Sequence, residues 1–274
     1  MKSRLLSRSF ACLLLLALFK PAWAVTVTDI YIFGDSLSDT FGTTEGGSSN
    51  GALWPFYLSP QLGVTYDPAT NFAVTGAFTS DLATQVSTYQ SAVSGADPNA
   101  LYVVWAGGND IAAGAPGSLA ANNVISAVNT LATLGATQFL VPNMPDMGLV
   151  PIDGTGSLTG AAIDFNTVID AEYTGSTAVT VADVFGMHHE IINDPSAFGL
   201  VDAMNPCLFL GTGCDTDSTV PYLFYDFLHP TTIGHSIVAD RFSETLAAVP
   251  LPPTVWLLGS GMIGLVGIGR KQAA

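Results

Sequence analysis

The stretch that decides the fold is YIFGDSLSDTFG, Tyr31–Gly42. It opens apolar and turns polar at Gly34-Asp35-Ser36, leaving Ser36 with Asp35 on one side and Asp39 on the other. A short aromatic and β-branched run that stops on glycine predicts a buried strand ending at a turn. A serine just past such a strand either caps a helix or reacts.

Working outward, Ile30–Phe33 has companions at Leu101–Trp105, Phe139–Val141 and Val179–Val184, with a weaker run near Val64–Tyr66. Several such runs end in glycine, asparagine or proline. Alanine-rich stretches between them predict helices over Ser80–Ser94, Ala120–Leu134, Ala161–Tyr173 and Thr232–Ala247. Continuous apolar strands alternating with helices predict an α/β fold, a parallel sheet covered on both faces. In such sheets, sites form beyond the carboxyl ends of the strands. Ser36, the Asn71–Gly76 segment and Gly107-Gly108-Asn109-Asp110 all follow strands, so three separate segments deliver polar groups to one crevice.

The two ends read differently. Lys2, Arg4 and Arg8 precede the apolar run Ala11–Phe19, and Ala22-Trp23-Ala24 follows. This is the layout of a secretory signal peptide over residues 1–24, cut after Ala24. Residues 249–274 open on Val-Pro-Leu-Pro-Pro, run uncharged from Thr254 to Gly269 and close on Arg270-Lys271. That order predicts an apolar helix with its basic end on the cytoplasmic side. Residues 25–248 between them suit one domain.

Of seven lysines and arginines, six lie in the end segments; Arg241 alone remains against 22 acidic residues. A nucleic-acid or anionic-membrane partner for the domain is excluded on that balance, because nothing neutralises phosphates. Cys207 and Cys214, an even pair in an exported chain, predict a small-loop disulfide worth about 2 kcal/mol. The competing zinc site would lack two of four ligands.

A serine hydroxyl needs a base, and the base needs an orienting group. Of His188, His189, His229 and His235, only His229 has a carboxylate at a tight loop offset: Asp226 in YDFLHPT. Asp226 can hold one imidazole nitrogen and leave the other for Ser36. Acyl transfer also needs donors for the developing oxyanion. The candidates are the N–H of Ser36, the N–H of Gly76 and the side-chain amide of Asn109, with Ser36 expected at a helix N-terminus where the dipole favours negative charge. Apolar loops at Ile111–Pro116 and Met144–Val150 would suit an acyl chain.

FGDSLSD, NFAVTGA, AGGND and DFLHP resemble, in order, the four sequence blocks of the GDSL, or SGNH, hydrolases. NMPDMGLVP at Asn143–Pro151 and HPTTIGH at His229–His235 are similar to the family as well. By this resemblance Ser36 matches the nucleophile, Gly76 and Asn109 the oxyanion donors, His229 the base and Asp226 its partner. The family implies a flavodoxin-like three-layer α/β/α sandwich, the SGNH hydrolase fold, with ester hydrolysis and neither metal nor cofactor. It also includes phospholipases, carbohydrate acetylesterases and acyltransferases. A catalytically silent surface or matrix binding protein is the alternative from another class. Two departures border the pocket: Ser38-Asp39-Thr40-Phe41-Gly42 where many relatives read SDTGN, and Val74-Thr75-Gly76 where many read VGG. The C-terminal segment resembles a PEP-CTERM sorting tail of Gram-negative bacteria in its VPLP form, without the proline-glutamate pair. That resemblance implies secretion or a cell-surface location, export and sorting partners at both termini, and membrane contact through the tail before processing. The substrate expected is an ester of a lipid or an acylated carbohydrate.

Several residues take blander readings. His188 and His189 point to different faces of any regular element and are expected in a loop or on the surface, not around one ion. His235 is expected to pack or hydrogen-bond within the last helix, and Trp105 to sit in the core. Asp35, Asp39 and Asp110 are expected to hold the site loops as acceptors. GSGMIG at Gly259–Gly264 fits a dinucleotide fingerprint but follows no βαβ strand. No G-x-S-x-G nucleophile elbow is present, against an ordinary α/β-hydrolase plan.

Overall fold

Four parallel strands form the central sheet: β1 (Ile30–Gly34), β2 (Leu101–Trp105), β3 (Phe139–Pro142) and β4 (Val179–Ala182), in that spatial order. The computed structural model describes residues 27–40 and 48–248. The signal-peptide reading at 1–24, the tail reading at 249–274 and Phe41-Gly42 lie outside those residues. Gly34 stands opposite Trp105, and Pro142 opposite Ala182, so the strand ends fall in register.

Pleat parity assigns the two faces. Tyr31 stacks on Tyr102 across the strand pair at 5.1 Å, and Tyr31, Phe33 and Tyr102 all meet Tyr89 of α2 (Leu82–Ala92) edge-on. Trp105, of opposite parity, turns to Phe242 of the last helix, which also meets Trp54 of α1 (Trp54–Gln61). Both faces are therefore covered, as continuous apolar strands require. Helices α3 (Gly108–Ala112), α4 (Gly117–Thr133), α5 (Thr159–Tyr173), α6 (Val184–Asn193) and α7 (Thr232–Ala247) complete the set. Strands β5 (Asp202–Pro206) and β6 (Tyr222–Phe224) pair separately, in parallel.

The expected weak strand at Val64–Tyr66 does not form. Val64 instead donates its N–H to Ser59 at the end of α1. The outer edge of β1 is taken by the next extended segment: Phe72 N–H donates to Ile32 and Val74 N–H to Gly34. Only an Asn71–Ile32 bridge qualifies as pairing, so this fifth strand is rudimentary. Its position beside β1, opposite β2, gives the strand sequence of a flavodoxin-like sheet.

Gly34 is obligatory. A Cβ there would lie 2.2 Å from the Trp105 carbonyl oxygen. Gln85 of α2 clamps the same residue, accepting from Gly34 N–H at 2.9 Å and donating to its carbonyl at 2.7 Å. The chain thus leaves β1 in a fixed direction, which aims Ser36.

Candidate active site

Ser38 and Asp39 both return their N–H groups to the Asp35 carbonyl, closing one turn around Ser36. The expected helix N-terminus is absent among the described residues. The turn stops there because the Asn71 side chain takes the Ser38 carbonyl at 2.7 Å and Trp54 Nε1 donates to Ser38 Oγ. Asp35 is buried, accepts from Leu37 N–H, and burial pushes its carboxyl up to about 6.

Ser36 Oγ lies 2.8 Å from His229 Nε2 although the two are 193 residues apart. His229 Nδ1 lies 2.8 Å from Asp226 Oδ2 and 3.0 Å from Oδ1. Asp226 Oδ1 also accepts from the backbone N–H of Leu228 and of His229. Burial alone would raise this carboxyl; the His229 side chain and the two N–H donors outweigh it and hold the group below its ordinary value. An ionised Asp226 only accepts, so the proton belongs on Nδ1 and the Nε2 lone pair faces the serine. The loop is braced from both ends. Tyr225 N–H donates to the His229 carbonyl, and Phe224 pairs with Pro230. Thr231 then caps α7 by accepting from Gly234 N–H.

Gly76 adopts φ +79°, a left-handed turn that favours glycine. Its neighbours are tied to the other blocks. Asp39 accepts from Thr75 N–H at 2.7 Å and from Thr75 Oγ1 at 2.8 Å. Asn109 Nδ2 donates to the Ala77 carbonyl at 2.8 Å, which orients the amide and uses one of its two hydrogens. Asp110, buried beside it, accepts from Thr79 N–H and Oγ1. Asp35, Asp39 and Asp110 thus act as the acceptors expected of them. Gly107, at φ +132°, starts α3 where a Cβ would come within 2.8 Å of Met144 Cε.

Ser36 and Asn109 line one cleft of about 730 Å³ of empty space, solvent at its mouth included. Its walls are almost wholly apolar: Met144, Met147 and Val150 from the loop after β3, Met187 and Ile191 from α6, and Val238 from α7. Of the two apolar loops singled out in the sequence, Met144–Val150 lines the cleft. Ile111–Pro116 does not line the cleft; Ile111 is buried in the core. Gly76 is not among the lining residues; its neighbours Thr75 and Ala77 are bonded to Asp39 and Asn109.

Of His188 and His189, expected in a loop or on the surface, His188 needs correction, while the His189 side chain is 42% exposed. Both lie in α6, and His188 is buried against Phe224 in the wall of the cleft. His189 faces the other way, with Nε2 3.0 Å from Asp146. The helix starts immediately after β4 because Asn143 accepts from Val184 and Phe185 N–H and Asp183 from Gly186 N–H. The NMPDMGLVP block was the available signal, since it contains both Asn143 and Asp146. Cys207 and Cys214 are disulfide-bonded. Leu208 N–H and Cys207 Sγ both approach the Tyr225 carbonyl, so the disulfide loop backs the histidine loop. Among the described residues, no three His, Cys, Asp or Glu side chains gather as a metal site.

Solved structures share this architecture. A lipolytic protein of the G-D-S-L family from Veillonella parvula superposes with a TM-score of 0.56 at 16% identity, over 79% of this chain and 96% of that one. An acetyl-xylooligosaccharide esterase from Geobacillus does so at 0.55 and 15%, over 82% and 96%. Esterase EstA of Pseudomonas aeruginosa is 31% identical over 176 residues, 56% of this chain and 27% of that protein. Lipase 1 of Photorhabdus luminescens is 25% identical over 334 aligned positions, 84% of this chain and 51% of that protein. The chain spans about a quarter of the first relative and about half of the second. A profile described as GDSL-like Lipase/Acylhydrolase matches residues 30–242, and the chain belongs to that family.

Proposed function

We propose that this protein is an exported serine ester hydrolase working through an acyl-enzyme. The observation that carries the reading is the unbroken Ser36–His229–Asp226 chain of contacts. His229 takes the Ser36 proton on Nε2 as Oγ attacks the ester carbonyl. Asp226 keeps the imidazole in the productive tautomer and stabilises its charged form. The oxyanion forms beside the N–H groups of Ser36 and Gly76 and the second amide hydrogen of Asn109. Collapse of the tetrahedral intermediate breaks the bond to the alcohol oxygen, which receives the proton from His229. A water deprotonated by His229 then releases the acid and restores Ser36.

The apolar cleft favours acids with a real hydrocarbon chain, because Met and aliphatic walls gain only from apolar area removed from water. That weighs against an enzyme confined to acetyl groups on carbohydrate. It leaves transfer to an alcohol open as a second outcome at the same acyl-enzyme. Names of relatives that include esterase and lipase agree with the reading. We further propose that the basic-apolar-small order before Val25 directs export from a Gram-negative cell, and that residues 249–274 act as a sorting tail in the membrane before processing.

The deciding experiment is hydrolysis of p-nitrophenyl esters of two to sixteen carbons. Turnover with a maximum beyond the acetyl ester is expected. No release from any ester would overturn the enzyme assignment and leave a silent binding protein. Added alcohol separates hydrolysis from transfer by the ratio of acid to new ester. Mass spectrometry of the secreted protein reads both proposed cleavages.

A further inference from the structure

The cleft-facing stripe of α6 is Val184, Met187, His188 and Ile191, a spacing of three, four and seven that places them on one helix face. Every member but one is aliphatic or thioether. His188 is 4% exposed, and neither ring nitrogen has a hydrogen-bond partner among the described residues. Asp146, the nearby carboxylate, is committed to His189, Thr159 and Gly148. Buried polar atoms in native proteins are nearly always satisfied, and an unsatisfied one is costly. Leu or Met at this position would pack the stripe without that cost, so the imidazole needs another reason to be there.

Burial keeps His188 neutral at physiological pH, its value pushed down to about 4. A neutral imidazole offers one donor and one acceptor. A hydroxyl is the complementary group, since it too gives one hydrogen and accepts another. An ionised carboxylate or ammonium would have to shed its hydration in a cleft with methionine and aliphatic walls, which strongly disfavours it.

We propose that His188 is a specificity-determining residue whose imidazole receives a hydroxyl carried on the acyl chain, making hydroxylated alkanoic acids the preferred acyl class. This rests on the ester-hydrolase reading and deepens it. The imidazole lines the cleft, and both of its ring nitrogens are shielded from water before the hydroxyl arrives. No bond is made or broken at His188; it selects the acyl group presented to Ser36.

The test uses the full chain with methyl esters of ω-hydroxy acids of four to ten carbons, each beside the unsubstituted ester of equal length, followed by pH-stat. An apolar cleft with no partner would disfavour the buried hydroxyl about tenfold or more. The proposal expects the opposite at one length: kcat/KM for the hydroxy ester exceeding the plain ester by on the order of tenfold. H188L should reverse that preference, and H188Q should keep part of it. A ratio below one at every length in the wild type would overturn the proposal without needing any variant. An H188L enzyme that slows both series equally would also overturn it, since packing alone then explains the residue. Hydrolysis of plain esters with no favoured hydroxy ester sinks the His188 assignment alone. Hydrolysis of neither series sinks the enzyme reading, and this inference with it.

Discussion

Replacing His235 with leucine should flatten the loss of stability in mild acid by a predictable amount. His235 lies on α7, is 1% exposed, and neither ring nitrogen has a partner among the described residues. Burial, with a smaller contribution from nearby His229, pushes its value down to about 3. The unfolded chain holds the same histidine near 6.5. A folded value below the unfolded one means that the unfolded chain binds the extra proton first. The stability is therefore fully present above pH 6.5 and is lost as pH falls from there towards 3. At pH 5 the folded imidazole is still neutral, so the loss is set by the unfolded value: 1.5 units at about 1.4 kcal/mol each, or about 2 kcal/mol. His188 adds a similar loss, since its folded value of about 4 also lies below pH 5. Asp35 works the other way. Its value of about 6 lies above that of the unfolded chain, so the fold gains about 1 kcal/mol between pH 7 and 5. These groups titrate alike in wild type and H235L, and the difference between the two proteins isolates His235. Urea denaturation at pH 7 and pH 5 is the assay. The drop in unfolding free energy should be about 2 kcal/mol smaller in H235L, or about 1 M in urea midpoint at a slope of ~2 kcal/mol/M. Equal drops in both proteins would refute the claim that His235 is folded as the neutral base.

Two substitutions address the proposed catalytic chain. Asp226→Ala removes the acceptor on His229 Nδ1, and kcat should fall by on the order of 10²–10⁴ with KM little changed; unaltered turnover would mean that the loop backbone alone positions the imidazole. Asn109→Ala should lower kcat by roughly 10²–10³, and an unchanged rate would remove the amide from the oxyanion hole.

The parts of the fold visible in the sequence were those written in local pattern. Strands β1 to β3 and helix α7 carry continuous apolar or periodic runs, and they lie where those runs do. What escaped was set by distant partners. Helix α6 begins where β4 ends because Asn143, about forty residues earlier, caps it. Asp183 in VADVFGMHHE adds a local N-cap, but the Asn143 contacts that fix the helix start come from a distant segment. The pair β5–β6 contains Asp202, Asn205 and Pro206, residues that strands disfavour, and it forms through tertiary support. Composition suggested a weak strand near Val64–Tyr66, yet it is Asn71–Val74 that lies along the edge of β1, because its backbone reaches Ile32 and Gly34. The candidate site was more legible than the sheet edge. Ser36 and His229 stand in short polar interruptions of apolar segments, where chemistry is the economical explanation, and the structure puts them 2.8 Å apart. The supporting residues Gln85 and Trp54 were not legible, since their polar atoms act on segments far away in the chain.

The central claim is that Ser36 is the nucleophile, and covalent labelling measures it most directly. The wild-type protein incubated with a fluorophosphonate should gain one adduct by intact mass, mapped to the peptide containing Ser36, while S36A gains none. Full labelling of S36A would contradict the account.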